Sequence, residues 1–228
     1  MVNKTIHYFV PLVLQKIGSY IFFIFYKIFL RLEIVGREKF KNLKGPVILS
    51  ANHTSELDVT ALPLVLPFFS PLQPVYFVMQ PKRRMQNFGW RNYLYGSGFL
   101  TLLGGCDIHS GYRNYAISLH KHTKLLRQGR TVCIFPEGKR THDGSFSPAH
   151  GGLGYLAYAS RATIVPIAID TFYNLSWREF LTRKRKVTLK VGDPISPSNI
   201  MQLDRAPAVE DFKHAAQSLL DKSREMMG

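Results

Sequence analysis

The chain has 228 residues, 46% hydrophobic and 13% aromatic, which supports one sizeable core and excludes both a disordered chain and two generous domains. Its 30 Lys and Arg against 15 Asp and Glu leave a net charge of +15, so a polyanionic partner is expected, either nucleic acid or an anionic membrane surface. The two cysteines, Cys106 and Cys133, lack C-x-x-C spacing, which argues against a disulfide framework and for a reducing, intracellular setting.

From Tyr8 to Leu32 the sequence is rich in Phe, Ile, Leu and Val, interrupted by Lys16 and Lys27. The charge-free piece Ile17 to Tyr26 falls short of the ~20 apolar residues a spanning helix needs, and no small-residue cleavage pattern follows. At about 100° per residue, Ser19, Tyr20, Lys27 and Arg31 fall within roughly 60° of Lys16, and apolar residues fill the remaining arc. A narrow basic stripe on an apolar helix predicts a membrane-interface helix whose lysines reach headgroups; packing on the protein's own core is the alternative. Residues 1–31 are therefore expected to form a membrane-association segment, and 32–228 the folded domain.

Short β-branched or aromatic runs bounded by Gly or Pro predict strands at Leu32–Gly36, Pro46–Ser50, Pro74–Met79, Phe99–Leu103, Thr131–Phe135, Ile164–Ile169 and Val187–Val191. Cys133, inside the fifth run, reads as a small core hydrophobe. Helices are predicted over Tyr112–Arg127, stopping at Gly129, over Gly152–Ser160, and near the C-terminus, where Val209, Phe212, Ala215, Ala216, Leu219 and Leu220 share a face. Apolar strands alternating with helices give an α/β fold: a single domain with a mostly covered central sheet flanked by helices.

Two segments carry chemistry. Ser50-Ala51-Asn52-His53-Thr54-Ser55-Glu56-Leu57-Asp58 follows a buried strand, and the carboxyl ends of strands are where α/β sheets gather catalytic groups. His53 and Asp58 would point about 140° apart on a continuous helix, so they can meet only across a turn, with Thr54 or Ser55 capping a helix that starts at Glu56. A carboxylate on one ring nitrogen fixes the tautomer and raises the basicity of the other, as deprotonation of an attacking alcohol requires. The competing reading is that Ser55-x-x-Asp58 is a capping box. The second segment, Phe135-Pro136-Glu137-Gly138-Lys139-Arg140, ends another apolar strand. Gly138 permits close backbone approach, and Arg140 offers a planar fork suited to phosphate; an ordinary strand exit with a solvated basic tail fits equally well.

Taken together, these segments resemble the glycerolipid (lysophosphatidate) acyltransferase family, with its N-H-x-S-x-x-D motif at Asn52–Asp58, its F-P-E-G-x-R motif at Phe135–Arg140 and its V-P-[IV] element at Val165-Pro166-Ile167. The resemblance covers roughly residues 32 to 192. It implies a His53–Asp58 dyad acting by general-base catalysis without a covalent intermediate. It also implies Glu137 and Gly138 shaping an acceptor pocket, Arg140 on the acceptor's phosphate, and Asn52, Ser55 and Pro166 lining the site. The donor would be acyl-CoA or acyl carrier protein and the acceptor a lysophospholipid, most simply 1-acyl-sn-glycerol-3-phosphate, with no metal and no further cofactor. The chain would act on the cytoplasmic face, as a peripheral or monotopic protein. One departure stands out: the family's second motif, G-x-x-x-x-x-R, has no arginine here, because Gly98-Phe99-Leu100-Thr101-Leu102-Leu103 runs into Gly104-Gly105-Cys106-Asp107. Either Arg113 or Lys82-Arg83-Arg84 substitutes, or the acceptor is not a simple phosphomonoester.

Other classes fit poorly. The basic groups at 82–84 and 183–186 accompany no nucleic-acid motif and serve anionic lipid equally well, so nucleic acid is not an expected partner. Gly96-Ser97-Gly98 lacks the spacing of a nucleophile elbow, and Gly151-Gly152-Leu153-Gly154 is not a dinucleotide fingerprint. His120 and His122 lack H-E-x-x-H spacing and read as lying on a basic, solvated helix face. A non-catalytic lipid-binding relative is the strongest non-enzyme alternative.

Overall fold

The computed structural model describes residues 6–80, 97–109, 114–141, 143–170, 172–205 and 207–227. The described residues form one seven-stranded sheet: β1 (Glu33–Val35), β2 (Val47–Ala51), β3 (Val75–Met79), β4 (Gly105–Asp107), β5 (Thr131–Ile134), β6 (Thr163–Asp170) and β7 (Thr188–Val191). Their spatial order is β1-β7-β6-β2-β5-β3-β4. Pairing is parallel except between β6 and β7, so β1 and β7 run against the other five.

Alternation along the strands feeds two cores. Val47, Leu49 and Ala51 of β2 and Val165, Ile167 and Ile169 of β6 face one layer, with Tyr26, Leu30, Leu62 and Val65. Ile48, Val132 and Ile164 face the other, with Leu126, Leu153, Leu156, Ala216 and Leu219. Each such fully buried side chain contributes ~1.5–3 kcal/mol relative to exposure, so the central strands are the most firmly specified part of the fold.

Among the described residues the α-helices are α1 (Ile6–Leu30), α2 (Asp58–Ala61), α3 (Ser97–Leu102), α4 (Tyr115–Ser118), α5 (His120–Arg127), α6 (Gly152–Ser160), α7 (Trp177–Leu181) and α8 (Val209–Glu225). The strand expected at Phe99–Leu103 is wrong: that run is helical through Leu102, and the strand is the following Gly105–Asp107. A five-residue apolar run has too few turns for its periodicity to separate helix from strand. The helix expected over Tyr112–Arg127 is broken at Leu119, which separates α4 from α5. Gly129, at φ 77°, closes α5 by donating its N–H to the Leu126 carbonyl.

The N-terminal helix is continuous for 25 residues and two-faced. By length and composition it could cross a membrane. One face, with Gln15, Ser19, Tyr26 and Leu30 buried, docks on the domain. Gln15 Nε2 donates to the carbonyls of Val75 (2.6 Å) and Leu103 (2.8 Å), and its Oε1 accepts from Val75 N–H. The Tyr26 hydroxyl bonds Thr60 Oγ1 at 2.6 Å. The opposite face leaves Val13, Ile17, Ile21, Ile24 and Ile28 exposed. The predicted stripe is split: Ser19 is buried against the domain and Lys16 is half-buried, its Nζ donating to the Phe68 carbonyl at 2.7 Å, while Tyr20, Lys27 and Arg31 are exposed. Core packing and an unpartnered apolar face coexist on one helix.

Candidate active site

β2 and β5 are adjacent and parallel, so their carboxyl ends open on the same edge of the sheet. His53 follows β2 and Glu137 follows β5, which brings together two segments 84 residues apart. No helix spans 53–58; Asp58 N–H turns back to the Ser55 carbonyl, and α2 begins at Asp58, two residues later than the Glu56 start expected from sequence.

That turn brings the Asp58 carboxylate under the imidazole. Asp58 is fully buried, and its Oδ2 accepts from His53 Nδ1 at 2.9 Å, from Thr54 N–H at 2.7 Å and from Ser55 N–H at 2.8 Å. Because a carboxylate only accepts, Nδ1 carries the proton of that bond, which in a neutral imidazole leaves the lone pair on Nε2. The Phe135 ring stacks on the imidazole, with centroids 4.0 Å apart and planes at 16°. Two of the ring's degrees of freedom are thus fixed by separate groups, and Nε2 has no partner among the described residues. The Ser55-x-x-Asp58 capping box is only half formed: Asp58 Oδ2 accepts from Ser55 N–H, but the Ser55 hydroxyl accepts from Leu57 N–H and not from Asp58, so the same Asp58 oxygen ties the turn and holds the ring.

Glu137, only 2% exposed, bridges two loops: Oε1 accepts from His53 N–H at 2.9 Å and Oε2 from Ser147 N–H at 2.8 Å. Burial pushes its carboxyl above the usual carboxylate range, against the pull of those two N–H bonds. The Thr141 N–H donates to the His53 carbonyl at 3.0 Å, so the backbone of His53 is clamped from both sides by the second segment. Gly138 adopts φ +68°, and a Cβ there would lie 2.8 Å from the His150 ring, which explains glycine at this turn. Its carbonyl accepts from Gln80 Nε2 at 2.8 Å.

The remaining candidates are placed differently from one another. Asn52 is buried, with Nδ2 donating to the Ile169 carbonyl and Oδ1 accepting from Ile169 N–H, so both amide atoms brace β2 to β6. The Ser55 hydroxyl accepts from Leu57 N–H at 3.3 Å. Pro166 lies mid-strand, buried in β6 opposite Ser50, away from the carboxyl edge that carries His53. Arg140 Nη1 donates to Glu56 Oε1 at 2.8 Å. Lys82-Arg83-Arg84 and Arg113 lie outside the described residues. His122 is not on a solvated face as expected: it is fully buried, with Nε2 on the Cys106 carbonyl at 2.9 Å, tying α5 to β4. Phe135 stacking, the Glu56 pairing and the Ser147 and Ile169 contacts had no local signal, because each partner arrives through the fold.

A histidine locked by a carboxylate at the carboxyl edge of a mostly parallel sheet defines a candidate proton-transfer centre on an α/β domain. The family model described as "Acyltransferase" matches residues 31–170, and the chain belongs to that family. It is 28% identical over 193 residues to human 1-acyl-sn-glycerol-3-phosphate acyltransferase beta, covering 82% of this chain and 63% of that protein. It is 30% identical over 204 residues to the alpha enzyme of Ovis aries, covering 86% and 64%. The chain therefore spans somewhat less than two thirds of these curated relatives. The fold matches the crystal structure of the 1-acyl-sn-glycerophosphate acyltransferase PlsC from Thermotoga maritima, with a TM-score of 0.63 at 19% identity, over 95% of this chain and 79% of that one.

Proposed function

We propose that the chain transfers a fatty acyl group from an acyl thioester, acyl-CoA or acyl carrier protein, to the free hydroxyl of a lysoglycerophospholipid. The acceptor to test first is 1-acyl-sn-glycerol-3-phosphate, the substrate in the names of its relatives. The observation that carries this reading is the His53 ring, held by Asp58 and Phe135 with Nε2 free, in a chain of the acyltransferase family.

In the proposed step Nε2 takes the hydroxyl proton as the acceptor oxygen attacks the thioester carbonyl. The carbon–oxygen bond forms, the tetrahedral intermediate collapses with cleavage of the carbon–sulfur bond, and the departing thiolate takes the proton back from His53. Asp58 stabilises the transient imidazolium through its Nδ1–H. Such positioned general-base catalysis contributes ~10²–10⁴-fold. Glu137 acts on the acceptor side by holding the His53 and Ser147 backbones in place.

The reaction is proposed to occur at an anionic membrane surface on the cytoplasmic face. Support comes from the net charge of +15 and from the apolar outer face of α1. Phe69, 88% exposed, and Trp177, 76% exposed, add large apolar groups beside that helix; Lys16 lies 5.3 Å from the Phe69 ring, and Phe180, next to Trp177 in α7, stacks on Phe29. α1 would lie along the domain with its outer face among acyl chains. The division into residues 1–31 and 32–228 is part of this proposal, though Gln15 and Tyr26 make α1 an integral wall of the domain.

The test is a mass-spectrometric acceptor screen: purified protein, mixed lysolipids in vesicles, and acyl-CoA or acyl carrier protein. Formation of diacyl products is the expected result. Products from neither donor with any lysolipid would remove the proposal.

A further inference from the structure

Arg140 is the group the second segment offers to an acceptor phosphate, yet it is already engaged. Its Nη1 donates to Glu56 Oε1 at 2.8 Å, with side chains 43% and 32% exposed. The pair joins the two loops that build the site. Glu56 lies between His53 and Asp58, and Arg140 adjoins Thr141, whose N–H donates to the His53 carbonyl. The segment Gly104–His109, which follows α3 beside β3, contributes no arginine that could take over the phosphate. An acceptor whose phosphate reaches Arg140 must therefore displace the Glu56 carboxylate or sit against it.

We propose that Glu56 is a specificity-determining residue, which competes with the acceptor's phosphate for Arg140 and so weakens binding of terminal phosphomonoesters. This rests on the acyl-transfer reading above and deepens it. The physical reasons are two. Opening the pair costs the charge-assisted bond from Arg140 whatever the incoming anion. Once displaced, the carboxylate remains within a few ångströms of the phosphate, and its repulsion grows with phosphate charge, so a terminal dianion loses more than an esterified monoanion. The pair is half-exposed, so water screens both effects, and the change on removing the Glu56 charge is roughly two- to fivefold in affinity.

The test uses the full chain in vesicles or detergent, with Glu56→Gln, Arg140→Ala and the double variant. Binding of glycerol 3-phosphate by titration calorimetry reads the competition without turnover, and KM for lysophosphatidate reads it during turnover. Glu56→Gln is expected to tighten glycerol 3-phosphate and lower that KM by roughly two- to fivefold, with kcat within about twofold. In the Arg140→Ala background the same substitution is expected to give a clearly smaller gain, because only the direct repulsion is left to relieve. Glu56→Ala should reproduce the gain, which guards against an effect peculiar to glutamine. Unchanged or undetectable glycerol 3-phosphate binding in Glu56→Gln, or a gain just as large without Arg140, would overturn the proposal. If the wild-type chain acylates no lysolipid, the acyl-transfer reading fails, while the binding series still decides whether Glu56 and phosphate compete.

Discussion

Replacing Asp58 by Asn separates orientation of the base from capping of the turn. The substitution keeps the side chain's size and removes its charge, while three donors still converge on one oxygen, at 2.9, 2.7 and 2.8 Å from His53, Thr54 and Ser55. A hydrogen bond to a charged group has a net worth of ~1.5–3 kcal/mol against ~0.5–1.5 for a neutral one, so each of the three weakens by about 1 kcal/mol and stability falls by about 3. The rate should fall much further. Without the carboxylate the imidazolium formed in the transition state loses its counter-charge, and nothing selects the tautomer with its lone pair on Nε2. A loss of ~10²–10⁴-fold in kcat is expected, with KM nearly unchanged. Urea unfolding followed by steady-state kinetics at saturating lysophosphatidate reads both quantities on one preparation. A variant destabilised by about 3 kcal/mol that keeps kcat within threefold would show that Asp58 only caps, and the general-base account would lose its orienting group.

Three further outcomes follow from particular contacts. Burial holds His122 down at about 4, below its ordinary 6.5, so the unfolded chain binds the extra proton between those values. Stability should therefore be complete above pH 6.5 and fall as pH drops toward 4, by about 3 kcal/mol at most. His122→Leu should flatten that slope in urea titrations at pH 4.5 and 7, and an equal slope in both proteins would refute the assignment. Ile17 and Ile21, 54% and 57% exposed on the outer face of α1, can be changed to Asp with little effect on folding. Losing two buried Ile contacts at ~1.5–3 kcal/mol each should weaken vesicle partition by at least about a hundredfold, which sedimentation with anionic vesicles measures. Gly138→Ala meets both the positive φ and the His150 ring, and should lower thermal stability and kcat together; a neutral result would mean the turn relaxes freely.

Much of this was legible because the local signals and the sheet agree. The run Val47 to Ser50 is apolar throughout since both its faces are covered, and it needs no partner to be read as a buried parallel strand. His53 and Asp58 could be paired in advance because only a turn lets a five-residue spacing converge. The strand β4 was missed because Gly105-Cys106-Asp107 has no apolar alternation, and the louder run before it is a helix. The face of α1 that docks was also hidden. Helical angles group residues, but Gln15 faces inward because Val75 and Leu103 offer backbone partners, which no periodicity encodes. The same holds for Asn52, whose partner Ile169 is 117 residues away, and for His122, whose basic neighbours disguised a buried position.

The central claim is that His53 Nε2 is the base for acyl transfer, and single-turnover kinetics of His53→Ala test it most directly. Preloading vesicles with lysophosphatidate and mixing with acyl-CoA isolates the chemical step from product release. The account gives a rate at least ~10²-fold below wild type, with unfolding midpoint and vesicle binding unchanged. A wild-type single-turnover rate in the folded, vesicle-bound variant would contradict it.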